Sequence, residues 1–431
     1  MAQMLDATEN ASPVDAVEAV TRELGVALGA RTVAFLIADL SGRALVRLAH
    51  VPLDDTAAGR RDGAEVATVM PFDGGPAEQA LRTQTVQVVA QSDRWTVLAP
   101  VTDRGEAIGL LEMILPDEPT TPALEEIART AHVLAFVVIA NRRYTDLFEW
   151  GQRTTPFTLS GEIQRRLLPA SFTCEASAFT LSGWLEPAAS IGGDTFDYSL
   201  ARDLLHFSVT DAMGHGVASA LTATLGVGSL RNSRRRGVGL VEQAATANAD
   251  VAGHTAVPGS YVTAILGRLN LRTGVCALLN AGHLPPMLVR DGNTRTVPLP
   301  AGYPLGMFAE ADYRAGEITL LPGDRLVLVT DGVQERSAAS LDLPAMLRSI
   351  AGLHPREAAR ALADAVLEVN GPDLTDDATL FILDWHGGHR EQRRTSAGAD
   401  QTRASSALPT DYRPVAPSEE STSASAARTL S

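Results

Sequence analysis

The feature that most constrains this chain is an aspartate placed between an apolar strand and a glycine-rich turn. Residues Leu204–Val209 read as a short strand, which Thr210 and Asp211 follow. A turn containing Gly214 and Gly216 comes next and leads into an Ala- and Leu-rich helix. An aspartate at a strand end, beside a turn whose backbone can come close, is well placed to hold a hard cation. Asp and Gly are also common in ordinary turns. Whether Asp211 holds a cation or only forms a turn therefore has to be judged together with the other carboxylates of the chain.

Composition and charge exclude several classes of protein. The 431 residues contain 36 Lys and Arg against 51 Asp and Glu, a net charge of −15, which disfavours nucleic acids and anionic membranes as partners. Cys174 and Cys276 make neither a disulfide framework nor a zinc site. The N-terminus lacks the pattern of a signal peptide, and the longest apolar run, Val133–Ala140, is shorter than the roughly 18 residues that a membrane helix needs. We therefore expect a soluble, cytoplasmic protein.

The first third of the chain predicts an α+β domain. Apolar residues at helical spacing over residues 14–30 indicate a helix, and two antiparallel hairpins and a closing helix are expected to follow. This order of elements, together with the segment Val97–Glu112, resembles a GAF domain over residues 13–145. The resemblance implies a sensor domain for an unknown small-molecule or protein signal.

The segment after this domain is predicted to be helical. Its apolar residues alternate between spacings of three and four, as in the a/d seam of a coiled coil: Leu124, Ile127, Ala131, Leu134 and Val138. Such a seam can pack on the domain's own sheet, on a second subunit, or on both through different faces of the helix, and we expect a homodimer. A second helical piece ends at Pro169, so residues 146–170 are expected to form a helical linker.

The remainder predicts a sandwich and a tail. Over residues 171–385, strands are followed by two helices, more strands, two helices and a last strand, which indicates an α/β/β/α sandwich. Residues 386–431 consist mainly of Ser, Thr, Ala, Arg, Gly and Pro without apolar periodicity. We expect this tail to be disordered, because it cannot bury enough apolar surface to offset the entropy lost on ordering.

Four aspartates of the sandwich lie at strand ends, beside glycine or a second aspartate: Asp194, Asp211, Asp331 and Asp376. Carboxylates that converge on one end of a sandwich repel one another unless a cation neutralises them. All-oxygen ligands select Mg²⁺ or Mn²⁺. Two such ions can share a bridging carboxylate and lower the pKa of a bound water, so that hydroxide attacks phosphorus without a Ser or Cys nucleophile.

Six short motifs stand in order over residues 160–385: Gly-Gly-Asp194, Asp211-Ala-Met-Gly-His-Gly216, Ala281-Gly-His-Leu-Pro-Pro286, Pro304-Leu-Gly306, Thr330-Asp-Gly332 and Asp376-Asp-Ala378. Together they resemble the metal-dependent protein phosphatases of the PPM family, in the SpoIIE-like branch. The string Glu162–Pro169 also resembles the short helix that enters the catalytic domain of these enzymes. The resemblance implies hydrolysis of phosphoserine or phosphothreonine by a water that two Mn²⁺ or Mg²⁺ ions activate.

The resemblance also implies roles for individual residues. Asp211 would bridge the two ions. Asp331 and Asp376 would complete one metal site, while Asp194 and the carbonyl group of Ala212 would complete the other.

Further polar residues near these motifs have less specific roles. Asp377 and Asp197 are candidates for a supporting position or for a third metal. His215 could donate a proton to the leaving alkoxide or support its turn. His283 is expected to order its proline-containing loop.

Two threonines depart from the family pattern. The family usually has an aromatic residue after Gly-Gly-Asp and a glycine before the next aspartate, where this chain has Thr195 and Thr210. Ala212 stands where a glycine or valine is common. Because none of these changes removes a ligand, we expect an active enzyme with a reshaped rim.

The resemblance implies that the substrate is a phosphorylated STAS-domain anti-sigma-factor antagonist. One alternative is a non-catalytic scaffold, in which the front domain senses a ligand and the phosphatase fold only binds the partner. A diguanylate cyclase is a second alternative, because Gly192–Phe196 is similar to the Gly-Gly-Asp-Glu-Phe signature, but it leaves the other three aspartates unexplained. The basic run Arg231–Arg236 is expected in a loop, as a solvated face or as a docking patch for an acidic partner.

Overall fold

The computed structural model describes residues 2–53, 65–186, 192–254, 257–333, 342–371, 374, 376–388, 395, 397–400, 402–403 and 428–430. The chain divides into two compact units, one formed by residues 1–156 with 394–431 and the other by residues 157–393. The boundary lies inside the predicted linker, whose two helices belong to different units. Among the described residues, no helix is both long and apolar enough to cross a membrane.

The first unit contains five helices and seven strands within the described ranges: α1 Ala2–Asn10, α2 Ala16–Leu28, β1 Thr32–Ala38, β2 Ala44–Pro52, β3 Glu65–Pro71, α3 Pro76–Thr83, β4 Gln87–Gln91, β5 Arg94–Asp103, β6 Glu106–Leu115, α4 Thr121–Asn141, α5 Leu147–Gln152 and β18 Arg428–Leu430. They form an antiparallel sheet in the order β18-β3-β2-β1-β6-β5-β4. Both faces of β1 are buried, because Phe35 packs in the core with α2 and α4 while Leu36 packs in a second cluster with α3. The predicted α+β class of this domain agrees with this architecture.

The apolar seam of α4 packs inside its own unit. Ile127, Ala131 and Leu134 are fully buried in the core that α4 shares with the sheet. Asn141, at the next seam position, donates its side-chain N–H to the carbonyl group of Val137 at 2.9 Å. Alternating spacings of three and four fit a helix on a sheet as well as a coiled coil, and here the first applies. The seam residues therefore pack within their own unit, and the homodimer stays a prediction.

The second unit contains the remaining elements in sequence order: α6 Leu159–Leu167, β7 Thr173–Glu175, β8 Phe179–Glu186, β9 Thr195–Leu200, β10 Leu204–Ala212, α7 Gly216–Arg235, α8 Leu240–His254, β11 Val262–Asn270, β12 Val275–Ala281, β13 Met287–Arg290, β14 Asn293–Thr296, β15 Ala315–Thr319, β16 Arg325–Val329, α9 Leu343–Ser349, α10 Pro355–Asn370 and β17 Ala378–Trp385. One sheet has the order β15-β12-β11-β10-β9 and the other the order β14-β13-β16-β17-β8-β7.

These two sheets pack face to face with helices outside. Aromatic side chains fill the space between them, and Phe207 stacks on Phe381 of the other sheet with ring centroids 5.4 Å apart. Helices α7 and α8 cover the five-stranded sheet through residues such as Val227 and Ala247. Helices α9 and α10 cover the six-stranded sheet through residues such as Leu347 and Leu362. The predicted α/β/β/α arrangement is thus the observed one.

The described part of the predicted tail is held by hydrogen bonds. His386 donates its main-chain N–H to Ala178, Gly398 accepts from the N–H of Gly105, and β18 pairs with β3. Most of the tail lies outside the described residues, so its expected disorder stays a prediction. Residues 389–394, 396, 401, 404–427 and 431 lie outside the described residues.

Candidate metal centre

The predicted site residues lie at matching strand ends of the two sheets. Asp194 immediately precedes β9, and Asp211 is the next-to-last residue of β10, its antiparallel neighbour. On the other sheet, Asp331 follows β16 and begins a single 3₁₀ turn, Asp331–Val333. Asp376 and Asp377 lead into β17, which pairs with β16. The sandwich therefore supplies carboxylates from two adjacent strands of each sheet.

A close backbone approach joins the two loops of the second sheet. A Cβ atom on Gly332 would lie 1.9 Å from the carbonyl oxygen of Asp377, a distance that no real side chain tolerates. Glycine after Asp331 is therefore required for the two loops to meet, which explains the Thr-Asp-Gly motif in physical terms.

Thr330 connects the two sheets at this end. Its hydroxyl group donates to the Oδ2 atom of Asp194 at 2.6 Å and accepts from the N–H of Thr379 at 2.9 Å. The side chain is fully buried. Sequence reasoning did not assign Thr330 a role, although its place beside Asp331 in the Thr-Asp-Gly motif was the available signal.

The carboxylates interact strongly through their charges. Burial raises the pKa of Asp194 well above its usual range, and the charges of Asp211 and Asp377 raise it further, against the lowering effect of the Thr330 hydrogen bond. Burial likewise raises the pKa of Asp211 to about 7, with added contributions from Asp331, Asp376 and Asp377. This is the mutual repulsion that the sequence predicted for converging carboxylates.

This donor set fits a hard divalent cation in its chemistry. Its side-chain donors are carboxylate oxygens, which Mg²⁺ and Mn²⁺ prefer, and a cation would relieve the repulsion that raises these pKa values. Asp331 and Asp376 are exposed, whereas Asp194 and Asp377 are buried. Within the ranges given above, however, no three His, Cys, Asp or Glu side chains are already arranged to hold a metal ion. The assignment of individual ligands therefore stays a prediction.

The main chain around Ala212 is held from two sides. Its N–H donates to the carbonyl group of Gly193 at 3.2 Å, which ties the Gly-Gly-Asp turn to β10. Its carbonyl oxygen, a predicted metal ligand, accepts a 2.8 Å hydrogen bond from the hydroxyl group of Ser219. Since a carbonyl oxygen has two lone pairs, this bond orients the oxygen and leaves acceptor capacity.

The two histidines of the motifs have different surroundings. His215 is exposed and occupies the residue before α7, where its side chain makes no capping hydrogen bond. His283 is buried, and its Nδ1 atom lies 2.7 Å from the hydroxyl group of Thr263. Asn280 makes two 2.8 Å hydrogen bonds with the main chain of His283, and burial lowers the pKa of His283 to about 4. A neutral imidazole within this network orders its loop, which is the expected role.

Gln164 is a second residue that sequence reasoning missed. It lies on α6, is 3% exposed, and donates its side-chain N–H groups to the carbonyl oxygen of Asp194 at 2.8 Å and to Oδ2 of Asp377 at 2.6 Å. The signal was the string Glu162–Pro169, whose position before the catalytic domain was noted without a role for any one residue.

Asp197 and the basic run form a separate cluster. Asp197 accepts hydrogen bonds from Arg231 at 2.9 Å and from Arg234 at 2.8 Å, so arginines neutralise it. Its candidacy for a supporting position or a third metal stays a prediction. Most of the basic run lies in the last turns of α7 rather than in a loop, where positive side chains interact favourably with the helix dipole. Arg231 and Arg234 consequently form neither a solvated face nor a docking patch.

The two threonines that depart from the family pattern meet across the strands. Thr195 and Thr210 are register partners on β9 and β10, and their hydroxyl oxygens lie 2.5 Å apart in a buried position. They join the strands that carry Asp194 and Asp211, one residue from each aspartate.

Comparison with known proteins agrees with these observations. Residues 201–386 match the model of the family described as Stage II sporulation protein E (SpoIIE). They form a SpoIIE-type phosphatase domain. The matched range includes Asp211, Asp331 and Asp376, while Asp194 lies just before it. This confirms the PPM-type fold and the protein serine/threonine phosphatase class that the motifs predicted.

Two curated relatives and one solved structure resemble parts of the chain. The chain is similar to phosphoserine phosphatase RsbU of Bacillus subtilis, with 22% identity over 231 residues, 52% of this chain and 68% of RsbU. Phosphoserine phosphatase RsbP of the same organism is 25% identical over 167 residues, 37% of this chain and 40% of RsbP. The structure of the RsbU and RsbW domains of Rv1364c from Mycobacterium tuberculosis matches with 29% identity and a TM-score of 0.44, over 49% of this chain and 62% of that one. The GAF-like character of the first unit stays a prediction.

Proposed function

We propose that the second unit hydrolyses phosphoserine or phosphothreonine on a regulatory protein, using two Mn²⁺ or Mg²⁺ ions and a water nucleophile. One observation carries this proposal. Asp194 and Asp211 lie on adjacent strands, and burial together with neighbouring carboxylates raises the pKa of both. Bringing ionised carboxylates together destabilises the fold at neutral pH. Cations bound between them would stabilise it, because they bind the folded chain.

The ligand assignment follows the motifs. Asp211 would be shared between the two ions, with Asp331 and Asp376 at one of them and Asp194 and the carbonyl group of Ala212 at the other. When bound, the ions would lower the pKa of a coordinated water and neutralise charge on the phosphoryl group.

The chain's own residues prepare this centre. Asp194 and Asp211 hold their protons more tightly than an exposed aspartate does, so they must release them before they can act as ligands. Thr330 stabilises the ionised form of Asp194 through its hydrogen bond. Asp377, which Gln164 binds, occupies a supporting position. His215, exposed on the turn after Asp211, is the candidate proton donor to the leaving alkoxide.

The substrate is proposed to be a phosphorylated STAS-type anti-sigma-factor antagonist. Support comes from the family match and from the names of RsbU and RsbP as phosphoserine phosphatases. A signal bound by the GAF-like unit would regulate the activity.

A non-catalytic scaffold is the second candidate function. It is favoured by one observation, namely that no three potential ligand side chains within the described ranges are already arranged around a metal. The two candidates differ in a simple measurement, because a scaffold does not release phosphate.

The test is hydrolysis of an aryl phosphate by the full chain in Mn²⁺, with EDTA and Asp211→Ala as the two ways to disable the centre. Asp312→Ala is the matched control, because Asp312 is an exposed aspartate of the same unit whose partner is Arg314. We expect the wild type and the Asp312→Ala control to turn over the substrate in Mn²⁺. We expect EDTA and Asp211→Ala each to lower turnover by at least about 10³-fold, the order of magnitude for removing an essential catalytic group. Full activity of Asp211→Ala would refute the two-metal proposal, and absence of turnover in the wild type would favour the scaffold. Serine-phosphorylated STAS proteins then test the substrate class.

A further inference from the structure

Helix α6 packs directly on the turn that precedes Asp194. A Cβ atom on Gly192 would lie 3.1 Å from Cβ of Ser160, and the φ of Gly192 is +140°. Ser160 and Gln164, four residues apart on one face of α6, are both buried. At the end of the helix, Arg231 donates to the carbonyl group of Leu167. Helix α6 is therefore held near its start by the Gly192 turn and at its end by Arg231.

The side-chain amide of Gln164 uses both of its N–H donors on this centre. One hydrogen bond goes to the main chain of Asp194, on the five-stranded sheet, and the other to the carboxylate of Asp377, on the six-stranded sheet. A hydrogen bond to a carboxylate is shorter and stronger than a neutral one, and burial at 3% exposure removes competition from water. The amide thus fixes the relative position of the two loops.

The choice of an uncharged donor matters at this position. An arginine or lysine in place of Gln164 would also satisfy Asp377, but its charge would compete with a cation for the same carboxylates. A glutamine orients the carboxylate of Asp377 without neutralising it. It therefore leaves the negative charge of Asp377 available.

We propose that Gln164 is a positioning residue of the metal centre, which holds the Asp194 and Asp377 loops in the arrangement that binds the divalent cations. This rests on the proposed metal-dependent function. Groups that orient metal ligands contribute about 10- to 100-fold to metal affinity. Loss of Gln164 consequently weakens cation binding, and saturating cation restores most of the turnover.

The test measures Mn²⁺ binding by titration calorimetry on the full chain without substrate. Gln164→Leu and Gln164→Met remove the donors while keeping a similar volume, and Met also keeps the unbranched shape. Gln243→Leu is the matched control: Gln243 is a buried glutamine on α8 that donates to the carbonyl group of Val238 at 2.8 Å, away from the metal centre. Melting temperatures of all variants report the general cost of losing a buried hydrogen bond.

We expect the Mn²⁺ dissociation constant to rise about 10-fold or more in both Gln164 variants and to stay within about twofold in the Gln243 control. Wild-type affinity in Gln164→Met would overturn the positioning role and leave the proposed function intact. Equal weakening in Gln243→Leu would also overturn it, because the effect would then be general destabilisation. If the wild-type chain binds no Mn²⁺, the proposed function and the role of Gln164 fall together.

Discussion

Replacing Asp211 with asparagine is expected to stabilise the metal-free protein at neutral pH. Burial, and then the charges of Asp331, Asp376 and Asp377, raise the pKa of Asp211 from its ordinary 3.8 to about 7 in the folded state. A carboxyl group with a higher pKa when folded binds its proton more tightly in the folded than in the unfolded protein. The contribution of Asp211 to stability is therefore greatest below pH 3.8, decreases up to about pH 7 and is constant above it.

The size of this effect follows from the same values. Each pKa unit corresponds to about 1.4 kcal/mol, so an increase from 3.8 to about 7 corresponds to about 4 kcal/mol in total. About two of these pKa units lie between pH 5 and pH 7. The free energy of unfolding of the wild type therefore decreases by about 3 kcal/mol between pH 5 and pH 8. The Asp211→Asn variant carries no charge at this position and also removes one cause of the raised pKa of Asp194, so both effects have the same sign.

Urea denaturation in EDTA at pH 5 and pH 8 measures this difference directly. At pH 8 we expect Asp211→Asn to be more stable than the wild type, by a margin about 3 kcal/mol larger than at pH 5. Asp312→Asn, at an exposed position, serves as the control and is expected to show no such pH dependence. Excess Mn²⁺ should raise the melting temperature of the wild type but not that of Asp211→Asn.

Two outcomes would refute this reasoning. A stability difference between Asp211→Asn and the wild type that does not change with pH would show that Asp211 is not held in a repulsive, buried environment. A variant that is less stable than the wild type at pH 8 in EDTA would show that the charge of Asp211 is already compensated by the protein.

Three further substitutions test the neighbouring contacts. Thr330→Val removes the hydroxyl donor to a buried carboxylate, and we expect about 10-fold weaker Mn²⁺ binding by calorimetry; unchanged affinity would contradict the contact's role. Thr210→Val alone should lower the free energy of unfolding by about 1–3 kcal/mol, because it leaves the Thr195 hydroxyl buried without its partner. The double Thr195→Val, Thr210→Val variant should lose less, and additive losses in urea denaturation would argue against the pair. Asp197→Asn should lower the free energy of unfolding by about 3–5 kcal/mol, because Arg231 is left with a reduced counter-charge. It should leave Mn²⁺ affinity unchanged, and a large loss of metal affinity would support Asp197 as a ligand candidate.

The strand-end aspartates could be predicted because their local signals are strong. Asp194 and Asp331 are next to a glycine, Asp376 is next to a second aspartate, and Asp211 precedes a glycine-rich turn, while strand ends of a sandwich meet at its edges. The same patterns predicted the layers of the second unit. Their effect on one another also followed, since the charges of neighbouring aspartates raise the pKa of both Asp194 and Asp211.

Gln164 and Thr330 were not predicted as site residues, because the motifs that contain them do not show which residues they contact. Gln164 is an ordinary helical glutamine until α6 packs against the sandwich, and its acceptors lie 30 and 213 residues away in sequence. Thr330 lies 136 residues from the aspartate to which it donates. Uncharged donors carry no periodic or compositional signal, so their roles emerge only from the tertiary structure.

Two charge and spacing patterns were ambiguous for similar reasons. The three-and-four spacing of α4 is the same for a helix on its own sheet and for a coiled coil, and only packing shows that Leu134 is buried within its unit. The run around Arg231 and Arg234 gave no indication of Asp197, the distant carboxylate that neutralises it.

The central claim is that the aspartates at this end of the sandwich hold two divalent cations. Counting bound Mn²⁺ tests it most directly, by the electron paramagnetic resonance signal of free Mn²⁺ during titration of the full chain at neutral pH. We expect two ions bound per wild-type chain and loss of both in Asp211→Asn, since a shared ligand is removed. A wild-type chain that binds no Mn²⁺, or an Asp211→Asn chain that still binds two with unchanged affinity, would contradict it.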